Sequence, residues 1–165
     1  MQQHIGDTSD REIVISRLIN APRELVFAVW TDVKHLEKWW GPNGFSTTTS
    51  EFDFKPGGTW FHTMHGPDGR DYPNEVYYEI IIPPERIVYS HGGGDDIGVN
   101  DAQFHVTVTF EDEDGKTRIT MKSVFQTAKQ RNHVVEKYGA IEGGKQHLAN
   151  LEEYVISQKN NLKSN

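Results

Sequence analysis

The strongest constraint on the fold is a run of six strand-like segments followed by one long amphipathic stretch. The clearest of them, "FHVTVTF" within residues 102–111, alternates apolar and polar side chains, which is the pattern of a half-buried β-strand. Turn signals rich in Gly, Pro and Asp separate the segments. The sequence therefore predicts an antiparallel sheet with strands over residues 45–54, 59–65, 75–82, 86–91, 102–111 and 117–125.

Another strand and several helices are predicted around this run. "REIVISRLI" predicts a first strand, which a first helix follows. Asp32 is a suitable N-cap for a second short helix, and Gly41 and Pro42 end that helix. Thr127 and Gln130 form a capping-box pattern for a short helix that Gly139 can end. A stripe of residues spaced three and four apart predicts a final helix over residues 141–158: Ile141, Gly144, Leu148, Leu151 and Val155. This order is typical of an α+β domain in which one long helix covers an antiparallel sheet.

The loops differ in length between the two ends of such a sheet. In a meander, the tight turns "KPGG", "PPE" and "DEDGK" share one end. The other end then collects "WWGPNGF", "HGPDGRDYPN", "HGGGDDIGVND" and "FQTAK". Long loops gathered at one end of a scaffold usually form the opening of a binding site. Trp39 and Trp40, about 100° apart on a helix, cannot share one neighbour, so we expect the second indole to line this opening.

Composition excludes several classes of protein. Seventeen basic and twenty-four acidic residues give a net charge of -7, which argues against nucleic-acid and membrane-surface partners because both require clustered Lys and Arg. Cysteine is absent, and no apolar stretch is long enough to span a membrane. We expect a cytoplasmic protein with a leader over residues 1–10, a single domain over residues 11–158 and a flexible tail over residues 159–165.

The sequence shows no recognisable catalytic motif. Eight histidines are present, but His62 and His65 lie three apart on a predicted strand and therefore point to opposite faces. We expect no metal site and no cofactor. If the face shared by Trp60, His62 and Met64 looks inward, His62 is a polar group among apolar side chains. Tyr78, Glu79 and Lys145 are further candidate polar anchors, although strand parity allows only one of Tyr78 and Glu79 to face inward.

Several stretches resemble one known family: "INAPRELVFAVWTD", "LEKWWGPNGF", "FDFKPGGTWFHTMHGPDG", "YYEIIIPPERIVYSH" and "IEGGKQHLANLEEYV". Over residues 11–156 the chain is similar to the family named for the activator of the heat-shock-protein-90 ATPase. That family lies within the START-like (SRPBCC, birch-pollen-allergen-like) superfamily. The resemblance implies a helix-grip fold, in which a curved seven-stranded antiparallel sheet wraps around a long C-terminal helix and two short helices follow strand 1. It also implies a cavity between sheet and helix.

Gly144 stands where this family commonly carries a tryptophan. One interpretation is that the missing side chain extends the cavity beneath Trp40 and Trp60, so that Gly144→Trp would fill it with little damage. The other is that glycine permits close contact between helix and sheet. The candidate ligand-binding residues are Trp39, Trp40, Phe45, Trp60, His62, Met64, Tyr78, Tyr89, Phe104, Met121, Gly144, Lys145 and Leu148.

Three functions fit these features. The first is non-enzymatic binding of a small hydrophobic or aromatic molecule, since an aromatic-rich opening is typical of such sites. The second is interaction with a chaperone, which the family name implies. The third is a cyclase- or hydrolase-like enzyme in which His62 and a carboxylate or tyrosine act as acid and base. The sequence leaves the oligomeric state open, and a homodimer is compatible with it.

Overall fold

The computed structural model describes residues 8–93 and 104–164, which form an α+β domain. After a 3-10 turn at Ser9–Arg11, the elements follow in chain order: β1 (Glu12–Ile19), α1 (Arg23–Trp30), α2 (Val33–Trp39), β2 (Ser46–Phe52), β3 (Thr59–His65), β4 (Asp71–Ile82), β5 (Arg86–Gly93), β6 (Phe104–Glu113), β7 (Lys116–Phe125), α3 (Ala128–Tyr138) and α4 (Ala140–Ser164). The final helix, predicted to end near residue 158, continues to Ser164. Among the described residues, none of the helices has the length and apolar character needed to cross a bilayer.

The seven strands form one antiparallel sheet in the order β1-β7-β6-β5-β4-β3-β2. Strands β2 to β7 are a meander, and β1 pairs with β7, the last strand in the chain. This pairing brings both ends of the fold together, because α3 and α4 follow β7 directly. The predicted seven-stranded sheet with a long C-terminal helix is confirmed.

The two ends of the sheet differ as predicted, with one correction. The tight turns after β2, β4 and β6 lie at one end, and the connections into β2, β4 and β6 lie at the other. The predicted loop over residues 65–74 is shorter than expected, because β4 already begins at Asp71. Pro73, which has no backbone N–H, pairs with Thr63 of β3. Most of the predicted loop over residues 91–101 lies outside the described residues.

Local capping signals were read correctly from the sequence. The Asp32 carboxylate accepts a hydrogen bond from the Lys34 amide at 2.9 Å, and the Thr127 hydroxyl accepts one from the Gln130 amide at 3.0 Å. Gly41 has a φ of 104°, which favours glycine because it has no Cβ. The chain therefore turns sharply after Trp40, the C-cap of α2.

The hydrophobic core lies between the inner face of the sheet and the helices. Leu148, Leu151 and Val155 of α4 are fully buried and belong to the same core cluster as Val106 and Val108 of β6. Burial of each such side chain contributes about 1.5–3 kcal/mol to the free energy of folding. The predicted apolar stripe of α4 therefore does face the sheet.

Candidate functional site

All four tryptophans of the chain meet in one cluster between the sheet and the helices. The ring centroids of Trp30 and Trp39 are 4.8 Å apart, and Trp40 lies 5.4 Å from Trp39 and 4.8 Å from Trp60. Three of them come from α1, α2 and its C-cap, while Trp60 comes from β3. The cluster therefore connects the short helices to the sheet.

Trp39 and Trp40 share Trp30 and His147 as ring neighbours, so the expectation that they cannot share a neighbour is wrong. The Trp39 indole N–H donates to the Val29 carbonyl at 3.1 Å, which fixes α2 against α1. The Trp40 ring also contacts Trp60 of β3, and it is the nearer of the two to His147 of α4, with ring centroids 4.8 Å and 4.4 Å away. The second tryptophan thus faces the space between sheet and α4.

His62 lies on the inner face of β3 with an unusual lack of polar partners. Its side chain is 2% exposed and its ring stacks on Trp60, with centroids 3.8 Å apart and planes 24° from parallel. Within the described part of the chain, neither ring nitrogen has a partner at the distance and angle of a hydrogen bond, although a looser polar contact with the Trp60 backbone acts to raise its pKa. Burial, and to a lesser extent nearby His91, lowers the pKa of His62 to about 3, so the ring is neutral at pH 7. An unpaired buried polar group costs about 1–3 kcal/mol of stability, which makes this position a candidate functional site.

His147 of α4 is the second buried imidazole of the cluster. Its Nδ1 accepts a hydrogen bond from the Gly41 amide at 3.0 Å, whereas its Nε2 has no partner among the described residues. Burial lowers the pKa of His147 to about 3. The Gly41 carbonyl accepts a hydrogen bond from the side-chain amide of Asn150 at 3.0 Å. Both backbone polar groups of Gly41 are therefore hydrogen-bonded to side chains of α4.

Two tyrosines extend the polar groups on the inner face. Tyr78 of β4 and Tyr89 of β5 are 4% and 2% exposed, and their ring centroids are 6.3 Å apart. Burial raises the pKa of both phenols, so both are neutral donors at pH 7. Glu79 is exposed on the outer face, which confirms the parity argument in favour of Tyr78.

The inner face is less covered at the end with the longer connections. Met64, His91, Phe104 and Met121 point inward near this end but are only half-buried. The His91 ring stacks on Phe104 at 4.8 Å, and burial lowers the pKa of His91 to about 4. These four partly exposed side chains lie at the end of the sheet where the sequence predicts the opening.

Two of the predicted site residues do not lie where we expected them. Lys145 is on the exposed side of α4, because it is one residue off the apolar stripe and points away from the sheet. Gly144 is not beneath Trp40 and Trp60: a Cβ there would lie 3.1 Å from both Cγ1 and Cδ1 of Ile15 on β1. This geometry supports the interpretation that glycine permits close helix–sheet contact. Leu148 lies in the packed core with no exposed surface.

A cavity of about 340 Å³ lies between the end of α2, the following loop and α4. Its walls include Trp39, Trp40, Phe45, Asn150 and Tyr154. Phe45 also contacts Tyr72 at 5.9 Å. Trp40 thus lines this cavity and also contacts the buried imidazoles of His62 and His147.

His62 and His65 do not converge on a metal site. His62 faces inward and His65 faces outward, as their spacing predicts. Among the described residues, no group of three or more His, Asp or Glu side chains is arranged to hold a metal ion.

The architecture defines a helix-grip domain, and solved structures share it. A solution structure of a protein from Arthrobacter aurescens matches with a TM-score of 0.83 and 26% identity, covering 92% of this chain and 89% of that one. The Ms6760 protein of Mycobacterium smegmatis matches with a TM-score of 0.78 and 25% identity, covering 89% and 91%. The AHSA1 protein of Silicibacter pomeroyi shows the same fold at 22% identity, with a TM-score of 0.70 and coverage of 89% and 99%.

The family model described as "Activator of Hsp90 ATPase homolog 1-like protein" matches residues 20–156, and the chain belongs to this family. The predicted family is therefore confirmed. No curated protein matches the chain. Fold and family together support a ligand-binding or chaperone-associated role.

Sequence reasoning missed two central residues of the site. His147 lies three residues after Gly144 and four before Leu151, so its spacing places it on the inward stripe of α4. Trp30 lies four residues after Val26 on the buried side of α1. Helical spacing alone could therefore have indicated both residues, whereas the contact between His147 and Gly41 requires the tertiary structure.

Proposed function

We propose that this protein binds a small aromatic or apolar molecule between the inner face of the sheet and α4. The observation that carries the proposal is the unpaired imidazole of His62 within an aromatic cluster. A protein that had only to be stable would gain from an apolar side chain at this position, because the buried ring nitrogens make no compensating hydrogen bonds. A ligand that supplies those bonds would explain why a histidine stands there.

The surroundings of His62 support binding better than acid–base catalysis. Catalytic histidines are oriented by a second polar group, usually a carboxylate within hydrogen-bond distance. Neither His62 nor the free nitrogen of His147 has such a partner within the described residues. The pKa values of both rings lie near 3, well below the range in which a histidine serves as a base at pH 7.

Intrinsic fluorescence offers a direct test, because all four tryptophans lie in this cluster. N-phenyl-1-naphthylamine would be titrated into the protein with excitation of tryptophan and detection of transferred emission. We expect saturable binding of one probe per chain, and competition by any small molecule that native mass spectrometry finds bound to the purified protein. His62→Phe should change the affinity, while His65→Phe on the outer face should leave it unaltered. Absence of saturable binding by any neutral aromatic probe would reject the proposal.

A chaperone-associated role is a second candidate, and the family match is the observation that favours it. It predicts that the purified chain stimulates the ATPase of a heat-shock-protein-90 chaperone. A steady-state ATPase assay with and without this protein measures the effect, and an unchanged rate at saturating protein would contradict it.

A further inference from the structure

We propose that the ligand carries a neutral carbonyl oxygen, and that the Nε2–H group of His147 is the donor that binds it. This inference rests on the proposed function, since it names the chemical class of the ligand at the same site. It follows from the hydrogen bond between Gly41 and His147, from the neutral groups that surround the ring among the described residues, and from the cavity that Trp40 lines.

The hydrogen bond from Gly41 determines the tautomer of His147. A backbone amide can only donate, so the Nδ1 atom that lies 3.0 Å from the Gly41 nitrogen must accept and carries no proton. The ring is neutral at pH 7, because burial lowers its pKa to about 3. The single ring proton of a neutral imidazole therefore sits on Nε2. His147 presents a fixed N–H donor that has no acceptor among the described residues.

The Gly41 peptide is held firmly enough to fix this tautomer. Its carbonyl accepts from the Asn150 side chain at 3.0 Å, one turn further along α4. The next part of the loop is bonded to the same helix, since the Asn43 amide donates to the Gln146 side chain at 3.1 Å. His147 Nδ1 is thus occupied by a rigid partner, and only Nε2 is left for a ligand.

The electrostatics around His147 favour a neutral acceptor over a carboxylate. Among the described residues, the groups that shift the pKa of His62 and His147 are other histidines and the backbone, not lysine, arginine or carboxylate side chains. Tyr78 and Tyr89 on the inner face are neutral as well. A buried carboxylate would lack a cation unless an imidazole became protonated, which burial opposes.

Access to Nε2 requires a covering side chain to move, and Trp40 has room to do so. Its ring contacts His147 at 4.4 Å and His62 at 5.8 Å, and the same residue lines the 340 Å³ cavity. A displaced indole would open a space bounded by Trp60, His62 and His147. A flat aromatic ketone, ester or amide fits this combination of aromatic walls and a single fixed donor.

Three matched probes test the inference: 2-acetylnaphthalene, 2-isopropylnaphthalene and 2-naphthoate. They share a ring system and differ in having a neutral carbonyl, no oxygen or a carboxylate. Dissociation constants would come from quenching of the tryptophan cluster at pH 7 and pH 5. We expect 2-acetylnaphthalene to bind about tenfold more tightly than 2-isopropylnaphthalene, as for one buried hydrogen bond, with no change between the two pH values. We expect 2-naphthoate to bind more weakly at pH 7 than at pH 5, because a larger fraction of its carboxyl groups is protonated and neutral at the lower pH.

Two variants separate the nitrogens of His147. An asparagine amide superimposes on Nδ1, so His147→Asn keeps an acceptor for Gly41 and loses the donor; the preference for the ketone should disappear. A glutamine amide reaches the position of Nε2, so His147→Gln should retain part of the preference. Equal affinity for ketone and hydrocarbon in the wild type, or tightest binding of the carboxylate at pH 7, would overturn the inference while leaving the binding function intact. If none of the three probes binds, the binding function itself fails and the inference with it.

Discussion

Two histidines three residues apart on β3 show how differently the two faces of this sheet are built. On the outer face, His65 uses both ring nitrogens: Nε2 pairs with the Thr48 hydroxyl at 2.9 Å and Nδ1 with the Asp71 carboxylate at 2.8 Å. On the inner face, His62 uses neither, within the described part of the chain. Water could form hydrogen bonds with the exposed ring of His65, yet of these two histidines it is His65 that has partners in the protein.

This contrast separates polar residues that a fold can dispense with from those that a function requires. The outer network joins β2, β3 and β4 and is exposed, so it contributes little to stability. The inner imidazoles of His62 and His147 leave buried ring nitrogens unpaired among the described residues, which lowers stability. Buried polar groups without a hydrogen bond are rare in stable proteins, and they are expected mainly at sites that serve a function.

The same comparison of a buried and an exposed face can be made on α4, and there we expect the largest effect of a substitution. Leu148 has no exposed surface and lies in the core, so Leu148→Ala should lower the free energy of unfolding by about 2–5 kcal/mol. Lys145 on the outer side of the same helix provides the matched control, and Lys145→Ala should change it by less than about 0.5 kcal/mol. Urea denaturation of both variants measures the difference. A loss below half a kcal/mol for Leu148→Ala would contradict the assigned facing of α4.

The next largest effect is the pH dependence of stability. His62 and His147 have pKa values near 3 in the folded protein against 6.5 when unfolded, so below pH 6.5 the unfolded chain binds more protons. Stability should therefore fall as the pH drops from 6.5 toward 3, by about 1.4 kcal/mol per pH unit for each imidazole. His91, with a pKa near 4, adds to the same trend.

Denaturant melts between pH 7 and pH 5 check this slope. His62→Phe should reduce it, because one titrating group is removed. Val76→Ala, which alters the same inner face without a titrating group, should lower stability equally at every pH. A curve that is flat over this range in the wild type would show that the imidazoles are not buried as neutral rings.

A smaller effect is expected at the contact between α4 and β1. Gly144→Trp should lower the free energy of unfolding by about 1–3 kcal/mol, because even a Cβ would lie 3.1 Å from the Ile15 side chain. Gly143→Ala is the control: its Cβ would lie 3.7 Å from Pro42 Cγ, an ordinary contact, and alanine should add up to about 1 kcal/mol through helix propensity. Thermal melts of the two variants should therefore shift in opposite directions. Wild-type stability for Gly144→Trp would restore the interpretation of an enlarged cavity.

The sequence predicted those parts of the molecule that short-range patterns determine. Alternation gave the strand at Phe104–Glu113, and capping residues gave the helix starts after Asp32 and Thr127. The candidate site was predicted less well, because its contacts join distant residues. Gly41 and His147 are 106 positions apart, and no local pattern indicates that they meet. The contact that Gly144 makes likewise depends on the rotation of α4 about its own axis relative to β1. The stripe of apolar residues indicates which side of the helix is buried, but it does not determine that rotation more closely.

The smallest effect compares the two histidines of β3 directly. His62→Leu should raise the free energy of unfolding by about 1 kcal/mol, because an apolar side chain of similar size removes two unpaired nitrogens from the core. His65→Leu should lower it by up to about 1 kcal/mol, because Thr48 and Asp71 lose a partner but remain solvated. Urea melts at pH 7 measure both changes, and probe affinity in the same variants shows whether the stabilised protein has lost ligand. If His62→Leu instead destabilised the protein by as much as Leu148→Ala, the stacked imidazole would be a packing element, and the argument for a binding role would lose its main support.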